Sequence, residues 1–491
     1  MRVLMVASEC YPLVKTGGLA DVVGALPGAL AEAGTETRVL LPNYPGVAQR
    51  AALGEAVAAF DHLFGGPARV LRAQADGAPE LLVLDAPHLF DRPGNPYLGP
   101  DGLDWPDNHL RFAALARAAA TCAAGGPDGW MPDLLHGHDW QAGLAAVYLA
   151  SALPEPLVRP PVVFTVHNIA FPGLFPAETV PELGLPPSQF TPAGFEYYGQ
   201  LSFMKAGLVF SDALTTVSPT YARELRTPRF GMGFEGVLEQ RQADLIGILN
   251  GINEETWNPV ADAALSARYS VDDLSGKAAD RAALQAELGL DQDPTAFLLC
   301  VVSRLTDQKG LDLLADALPT LLGTGGQLAL LGTGMPELEA AFQHEAETLP
   351  RRVAVRIGYD EALSHRMIAG ADAIIVPSRF EPCGLTQMYG LRYGTVPIVA
   401  RTGGLADSVV DANEAAVHAG VATGIVFDPN DPDGLRAALL RARMLFADRT
   451  AWRGLMLAGM RHKVGWARSA QRYRSLYDRL LATRSGRAPG A

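Results

Sequence analysis

Two glycine-rich segments carry cations that could bind a phosphorylated ligand. Lys15 stands before two glycines in KTGGLADVV, where the backbone could approach a phosphate closely and the next helix begins. Arg304 and Lys309 lie five residues apart in SRLTDQKG and could converge on a pyrophosphate. Taken alone, each segment is equally well explained as an ordinary turn or an ion-paired loop. Together they indicate one shared anionic ligand.

The use of lysine in these segments is itself informative. Of the 40 basic residues only five are lysines, and Lys15 and Lys309 are two of them. Lysine is a compact point charge, whereas arginine is a planar fork. We therefore expect Lys15 to contact one oxygen in a space too narrow for a guanidinium group.

A third segment, SRFEPCGLTQ, brings a carboxylate to the start of a predicted helix. Glu381 could accept hydrogen bonds from sugar hydroxyls or stabilise a developing positive charge, and the helix start could bind a phosphate. The simpler alternative is that Glu381 caps the helix.

The elements that must position these residues form two series of strands and helices. Nearly continuous apolar runs predict strands buried on both faces of parallel sheets. In the first half they are RVLMVAS, TRVLLP, LLVLDAP, PDLLHGHD, PVVFTVHN, ALTTVS and DLIGILNG. In the second half they are AFLLCVVSRL, QLALLGTG, RVAVRIGY, AIIVPS, VPIVAR and GIVFD. The pattern breaks near residues 250 to 260.

This organisation predicts an α/β protein with two doubly wound Rossmann-like domains facing across a cleft. We place the first domain at residues 1–250 and the second at 251–462. The amphipathic segment at 463–491 is predicted to be a helix that crosses back to the first domain. Because ligands bind beyond the carboxyl ends of parallel strands, the three segments above should border the cleft.

Composition limits the kinds of partner. The chain has 491 residues and a net charge of −13, which argues against nucleic acid or an anionic membrane as the main partner. Its four widely spaced cysteines fit neither a disulfide framework nor a zinc site, and no apolar run reaches membrane-spanning length. We expect a cytoplasmic protein.

The ordered motifs KTGGLADV, HDW, TVHNIAFPG, LNGI, SRLTDQKG, GYDE and EPCGLTQ resemble bacterial glycogen synthases and plant starch synthases along essentially the whole chain. These are retaining glycosyltransferases with the two-domain GT-B fold. The resemblance implies glucose transfer from ADP-glucose to the non-reducing end of an α-1,4-glucan such as a glycogen primer. The choice of ADP over UDP rests on this resemblance alone.

The resemblance also implies residue roles. Lys15 and Gly18 would contact the donor diphosphate, with Arg304 and Lys309 binding it from the other domain. Glu381 would contact the donor glucose and His167 would lie beside its anomeric carbon. The other implied donor-site residues are Tyr359 at the adenine, and Cys383, Gly384, Leu385 and Thr386 at the sugar and phosphate. The implied glucose and acceptor residues are Asp139, Trp140 and Asn168, with Asp21, Tyr97 and Asn250 as weaker candidates.

Four other patterns are interpreted as structural. GMGFEG at 231–236 matches a dinucleotide motif but lacks a preceding strand. His136 and His138 form HGH, which we interpret as core or pocket-lining histidines because no further metal ligand is evident. GTGMPE lacks the lysine of a phosphate loop. The strings DQD at 291–293 and DPD at 431–433 lie in loops, the second as a predicted helix cap.

We expect no metal and no cofactor, with fixed cations neutralising the leaving group. Three alternatives share the architecture: a UDP-glucose-dependent glucosyltransferase, a glucan phosphorylase with a lysine-bound pyridoxal phosphate, and a non-catalytic glucan-binding protein. The presence of Lys15, His167 and Glu381 argues against the last.

Overall fold

The computed structural model describes residues 1–125, 129–152 and 159–484. The chain divides into two compact units. Unit 1 comprises Met1–Asn250 and Trp466–Ala491, and unit 2 comprises Gly251–Gly465. Across the described residues, no helix combines the length and apolar character needed to cross a membrane.

Unit 1 is built on a mixed sheet that has nine strands over the described residues, in the order β12-β11-β7-β6-β1-β2-β5-β4-β3. Its strands are β1 (Arg2–Val6), β2 (Glu36–Pro42), β3 (Ala52–Phe60), β4 (Ala68–Gln74), β5 (Leu81–Asp85), β6 (Leu134–His138), β7 (Val162–Val166), β11 (Ala213–Thr216) and β12 (Leu245–Gly247). A second, small antiparallel sheet contains β8 (Leu174–Pro176), β9 (Glu196–Tyr197) and β10 (Gln200–Ser202).

The seven strands predicted in the first half are all present, and they pair in parallel from β12 to β5. Hairpin β3–β4 adds an antiparallel edge that the prediction missed. Five of the nine residues of β3 are exposed in succession, so this strand lacks the buried apolar run by which the others were recognised.

The helices of unit 1 cover both faces of its sheet in the way that parallel strand connections require. They are α1 (Gly18–Glu32), α2 (Pro45–Ala48), α3 (Pro87–Phe90), α4 (Asn108–Gly125), α5 (Ala145–Ala152), α6 (Thr179–Glu182), α7 (Phe203–Phe210), α8 (Pro219–Glu224) and α9 (Glu235–Gln240). The side chains of α4 are buried nearly all round, because alanine allows close packing between the sheet and α5.

Unit 2 contains a fully parallel sheet whose six strands, counted over the described residues, have the order β15-β14-β13-β16-β17-β18. They are β13 (Leu298–Val302), β14 (Gln327–Gly332), β15 (Val353–Ile357), β16 (Ala373–Val376), β17 (Val396–Ala400) and β18 (Ile425–Phe427). All six were predicted, because each is an apolar run bounded by turn residues.

Helices alternate with these strands. They are α10 (Ser275–Leu288), α11 (Leu311–Gly323), α12 (Pro336–Thr348), α13 (Glu361–Gly370), α14 (Thr386–Arg392), α15 (Gly403–Ser408), α16 (Glu414–His418), α17 (Gly434–Ala447) and α18 (Arg449–Arg461). Both units are thus doubly wound α/β domains, as predicted.

The last helix, α19 (Ala467–Arg484), belongs to unit 1 and packs on α1. Tyr473 and Tyr477 are completely buried in the core of unit 1. Ser469 donates to the carbonyl of Leu249 in the same unit.

Candidate functional site

In unit 1 the loop before α1 is organised by Glu9, a buried residue that follows β1. Its carboxylate accepts hydrogen bonds from the backbone N–H groups of Thr16 (2.5 Å) and Gly17 (3.2 Å), and from the Thr16 hydroxyl (2.6 Å). These donors are therefore already bonded, and the anion-binding capacity of the loop rests on Lys15 and on the first turn of α1, from Gly18 onward.

Lys15 forms an ion pair with Asp21, with 2.8 Å between Nζ and Oδ1. Asp21 lies in the first turn of α1, and the Lys15 side chain keeps 30% of its surface exposed. The ammonium group is therefore held next to the helix start without being buried.

Tyr97, a weaker candidate from the sequence, lies at the same loop. Its hydroxyl donates to Glu9 (2.5 Å) and lies 2.8 Å from the hydroxyl oxygen of Ser8. Burial is the main reason that the pKa of Tyr97 lies well above its usual value, so the hydroxyl stays protonated. Tyr97 supports the Lys15 loop through Glu9.

Asp139 and His167 follow β6 and β7, two adjacent parallel strands, so they lie at the same edge of the sheet. Oδ1 of Asp139 accepts hydrogen bonds from the backbone N–H groups of His167 (3.2 Å) and Asn168 (3.5 Å). Burial raises the pKa of Asp139 to about 7. Asp139 also has a positive φ of 59°, a strained conformation for a residue with a side chain.

The other two candidates at this edge are placed differently. The Trp140 ring packs edge-on against Phe112, with centroids 4.9 Å apart, and is half-buried. Asn250 follows β12 and is buried, and its Oδ1 has no hydrogen-bond partner among the described residues. Its amide oxygen is thus a buried acceptor without a donor in the described part of the chain.

In unit 2 the structure brings Lys309 and Glu381 together. Nζ of Lys309 lies 2.5 Å from Oε2 of Glu381, which also accepts a hydrogen bond from Ser378 (2.9 Å). Glu381 is buried and the Lys309 side chain is 18% exposed. A buried carboxylate of this kind needs its cation, because an unpaired charge would be costly there.

Gly310 explains how the Lys309 loop reaches Glu381. It has a φ of +65°, and a Cβ at this position would lie 2.1 Å from the carbonyl oxygen of Pro377, just before the Glu381 segment. Only glycine permits this approach, so the loops after β13 and β16 lie in direct contact.

The Arg304 loop is held by the GTGMPE segment. Leu305 exchanges backbone hydrogen bonds with Thr333 and Met335, and a Cβ on Gly334 would lie 2.1 Å from the Leu305 carbonyl oxygen. The Arg304 side chain is exposed and makes no hydrogen bond or ion pair within the described residues. Arg304 is thus an uncommitted cation, whereas Arg379 is bound bidentately to Asp312.

Glu381 also lies in a loop whose backbone is fixed from two sides. Nε2 of Gln387 donates to the carbonyl oxygens of Cys383 (3.2 Å) and Gly384 (2.9 Å). Gly404 donates its backbone N–H to the carbonyl oxygens of Glu381 and Pro382, both at 3.1 Å. The predicted residues Cys383, Gly384, Leu385 and Thr386 form the entry into α14.

Tyr359 and Tyr389 have separate positions. Tyr359 follows β15, is 74% exposed and donates to Glu361 (3.0 Å). Tyr389 lies on α14 and stacks on Trp257, with ring centroids 3.7 Å apart. The Tyr389 ring is thus used for packing.

The interpretation of GMGFEG as structural is supported, because helix α8 and a turn precede it. Asp291 pairs with Arg351, and Asp293 accepts from Thr295. The second aspartate string opens helix α17 as predicted, with Asp433 at the N-cap position. Among the residues that the structure describes, the expected capping hydrogen bond is absent, and the Asp433 side chain pairs with Arg436 (3.0 Å). Over the described ranges no cluster of three or more His, Cys, Asp or Glu side chains could hold a metal ion.

The buried lysines have structural partners. Nζ of Lys205 donates to the carbonyl oxygens of Pro192 and Glu196, and Nζ of Lys277 donates to the Ala369 carbonyl and the Thr395 hydroxyl. Burial lowers the pKa of Lys277 to about 8. Both amines are thus occupied, which argues against the lysine-bound cofactor of the phosphorylase alternative.

Sequence reasoning missed Glu9 and the role of a second glycine pair. Thr402–Asp407 has the same six residues as Thr16–Asp21, TGGLAD, and it supplies the Gly404 contact to the Glu381 loop. A search for internal repeats would have found it. Glu9 lies between a strand and a cysteine in a segment that has no such signal.

Comparisons with known proteins agree with this geometry. Residues 2–240 match the family model of the starch synthase catalytic domain, and residues 282–443 match that of glycosyl transferases group 1. The chain is 55% identical to the glycogen synthase of Roseobacter denitrificans over 98% of this chain and 100% of that protein. It is 57% identical to that of Paracoccus denitrificans over 98% of this chain and 100% of that protein.

Among solved structures, the catalytic domain of starch synthase IV from Arabidopsis thaliana, bound to ADP and acarbose, is similar in fold with a TM-score of 0.86. It is 33% identical and covers 98% of this chain and 99% of that chain. The GT-B fold and the resemblance drawn from the motifs are confirmed. The chain therefore belongs to the glycogen and starch synthase family of glycosyltransferases.

Proposed function

We propose that this glycogen synthase uses ADP-glucose as donor and transfers its glucose to the non-reducing end of an α-1,4-glucan, with retention of the anomeric configuration. The observation that carries the proposal is the ion pair of Lys309 with the buried carboxylate of Glu381 in unit 2, on the same loop as the exposed cation Arg304. The ADP found with the Arabidopsis starch synthase supports ADP as the leaving nucleotide, and the acarbose there supports a glucan acceptor.

In this proposal unit 2 binds the leaving group. Arg304 and Lys309 neutralise the diphosphate as the bond to glucose breaks, and Glu381 stabilises positive charge on the sugar. The N–H groups of Gly384, Leu385 and Thr386 bind donor oxygens, with Cys383 beside them. Tyr359 stacks on the adenine, which suits its exposed ring.

Unit 1 supplies the remaining contacts. Lys15 and Gly18 at the start of α1 bind the same diphosphate, and His167 lies beside the anomeric carbon. Asp139, Trp140 and Asn168 shape the glucose and acceptor pocket, to which Asp21, Tyr97 and Asn250 contribute.

The state of the carboxylates favours front-face attack over a double displacement as the route to retention. Asp139 is bonded to two backbone amides and Glu381 to Lys309 and Ser378, so neither is a free nucleophile. We infer front-face attack: the C1–O bond breaks with its electron pair going to the diphosphate, the acceptor oxygen bonds to C1, and its proton passes to the departing diphosphate. Trapping of a glucosyl ester on any Asp or Glu would contradict this mechanism.

The test is an assay of nucleotide diphosphate release with ADP-glucose or UDP-glucose and a glycogen primer. We expect faster turnover with ADP-glucose, α-linked product by NMR, and full activity in excess EDTA. Equal or greater turnover with UDP-glucose would overturn the donor assignment. Loss of activity with EDTA that Mg²⁺ or Mn²⁺ restores would overturn the fixed-cation account.

Because the proposed diphosphate ligands belong to both units, we also propose that the enzyme closes around the donor, which would exclude water from the reaction. Small-angle X-ray scattering should show a smaller radius of gyration at saturating ADP. An unchanged radius would contradict closure.

A further inference from the structure

Three histidines form a contact series at the ends of β6 and β7. His136 and His138 are completely buried, and His167 is half-buried. Nδ1 of His138 lies 3.0 Å from Nε2 of His167, and the ring centroids of His136 and His138 are 4.1 Å apart. The proposed function gives His167 a role but none to His138.

All three rings are neutral at physiological pH. Burial lowers the pKa of His136 and of His167 to about 3 and holds the pKa of His138 well below its usual value. A neutral imidazole has one N–H and one lone pair. The His138–His167 hydrogen bond therefore has a definite donor, and its direction fixes the tautomer of both rings.

The far side of His138 discriminates between the two directions. Its Nε2 is buried and has no hydrogen-bond partner within the described residues. If His167 donated to His138, Nε2 of His138 would carry a buried N–H without an acceptor. If His138 donates, Nε2 carries only a lone pair, and orphaned acceptors are better tolerated than orphaned N–H groups.

We propose that His138 is a positioning residue that donates its Nδ1–H to Nε2 of His167 and so holds His167 in the Nδ1–H tautomer. Nδ1 of His167 makes no hydrogen bond within the described residues, and its ring is the half-buried one of the three. Resting on the proposed function, this tautomer presents the donor glucose with a neutral N–H that can bind a hydroxyl oxygen.

The backbone of His167 is fixed independently. Asp139 accepts its N–H, while His138 contacts its ring. Two consecutive residues thus act on His167: Asp139 fixes its backbone, and His138 determines which of its ring nitrogens carries the proton. A ring free to exchange tautomers would present a lone pair to the same hydroxyl part of the time, and it would then accept a hydrogen bond in place of donating one.

His136 provides a matched control within the same series. Its Nδ1 lies 2.8 Å from the Tyr477 hydroxyl and its Nε2 lies 2.6 Å from the Thr165 hydroxyl. Tyr477→Phe removes a buried hydrogen bond from this neighbour of His138 but leaves the His138–His167 pair intact. It should disturb the core without changing the tautomer of His167.

The experiment is ¹⁵N NMR of the full-length enzyme labelled at histidine, recorded at neutral pH without ligand. The His167 resonances are identified by their loss in His167→Gln. We expect a protonated Nδ1 and an unprotonated Nε2 in the wild type and in Tyr477→Phe. A proton on Nε2 of His167 in the wild type would overturn the proposal, and this measurement requires no variant of His138 to fold.

Substitution of His138 tests the positioning role. His138→Leu should let the Nε2–H tautomer of His167 appear and lower kcat about tenfold, the effect of losing one hydrogen bond in the transition state. His138→Asn places an amide N–H near the original Nδ1–H and should restore both. An unchanged tautomer in folded His138→Leu would overturn the proposal. If the tautomer behaves as expected but His167→Ala keeps full kcat, the assigned role of His167 is wrong and the His138 assignment stands.

Discussion

The hexapeptide TGGLAD occurs once in each unit and starts a helix in both, yet its two copies have opposite environments. Thr16, Gly17 and Gly18 are exposed, whereas Thr402, Gly403 and Gly404 are buried. Gly17 is extended with φ −158° and has open space where a Cβ would be. Gly403 has φ +43°, and a Cβ there would lie 1.8 Å from the Glu381 carbonyl oxygen.

The difference shows that the two glycines of the motif, which have no Cβ, let other atoms come close to the backbone. The surrounding residues determine whether those atoms belong to the chain or to a ligand. In unit 2 the chain itself fills that surface, and the glycines hold the Glu381 loop. In unit 1 the surface stays open, apart from the Glu9 carboxylate below it. We therefore propose that the first copy binds a ligand and that the second supports the Glu381 loop.

The largest expected effect comes from adding a methyl group to the buried copy. Gly403→Ala should lower the free energy of unfolding by about 3–5 kcal/mol, because it combines a steric overlap with an unfavourable φ. Gly17→Ala is the matched control and should change that free energy by about 0.5 kcal/mol or less. Urea denaturation of both variants makes the comparison. Similar losses would show that the two copies are not used differently.

Removal of the Glu381 side chain, whose loop is held by the buried TGGLAD copy, should abolish most turnover. Glu381→Ala should lower kcat by at least about 100-fold, with a smaller effect on donor affinity, because its charge acts mainly in the transition state. Steady-state kinetics separate the two. A rise in KM at unchanged kcat would instead make Glu381 a ground-state binding residue.

The cation of unit 2 comes next. Lys309→Ala should cost about 2–4 kcal/mol of transition-state stabilisation, because it removes charge from the leaving diphosphate and leaves the Glu381 carboxylate without its ion pair. The measurement is kcat/KM for ADP-glucose at constant ionic strength. Retained kcat/KM would exclude a role for Lys309 at the diphosphate.

The smallest effect is expected from substitution of the basic residue before each hexapeptide, Lys15 in unit 1 and Arg401 in unit 2. Lys15→Arg keeps the charge but should lower kcat/KM about tenfold, because a guanidinium pairs with a carboxylate fork to fork and would bind Asp21 in another geometry than the single ammonium contact. Arg401→Lys is the control in unit 2 and should stay within about twofold of wild type. Equal rates for Lys15→Arg and wild type would remove the steric argument for lysine.

Much of the fold could be predicted because parallel strands buried on both faces have an unmistakable apolar pattern. Hairpin β3–β4 escaped because edge strands expose one face, and the small sheet β8–β10–β9 because its strands have two or three residues. Local patterns of this kind carry no signal that distinguishes them from loops.

The sequence names candidate site residues but does not predict the contacts between them. The pairing of Lys309 with Glu381 joins residues 72 positions apart, and the Glu9–Tyr97 hydrogen bond spans 88 positions. Such contacts depend on which strands become neighbours, and the order of strands in a sheet cannot be predicted from the sequence of any single strand. The direction of the His138–His167 hydrogen bond depends further on burial, which only the packed structure provides.

The return of α19 to unit 1 has a consequence for how the protein is made. Tyr477 contacts His136, which lies 341 residues earlier in the chain. Tyr473 and Tyr477, the two buried tyrosines of α19, emerge from the ribosome after the whole of unit 2. Unit 2 can complete its parallel sheet from one continuous stretch of chain, whereas the core of unit 1 stays incomplete until these tyrosines arrive. The unit that is synthesised first is therefore expected to finish folding last.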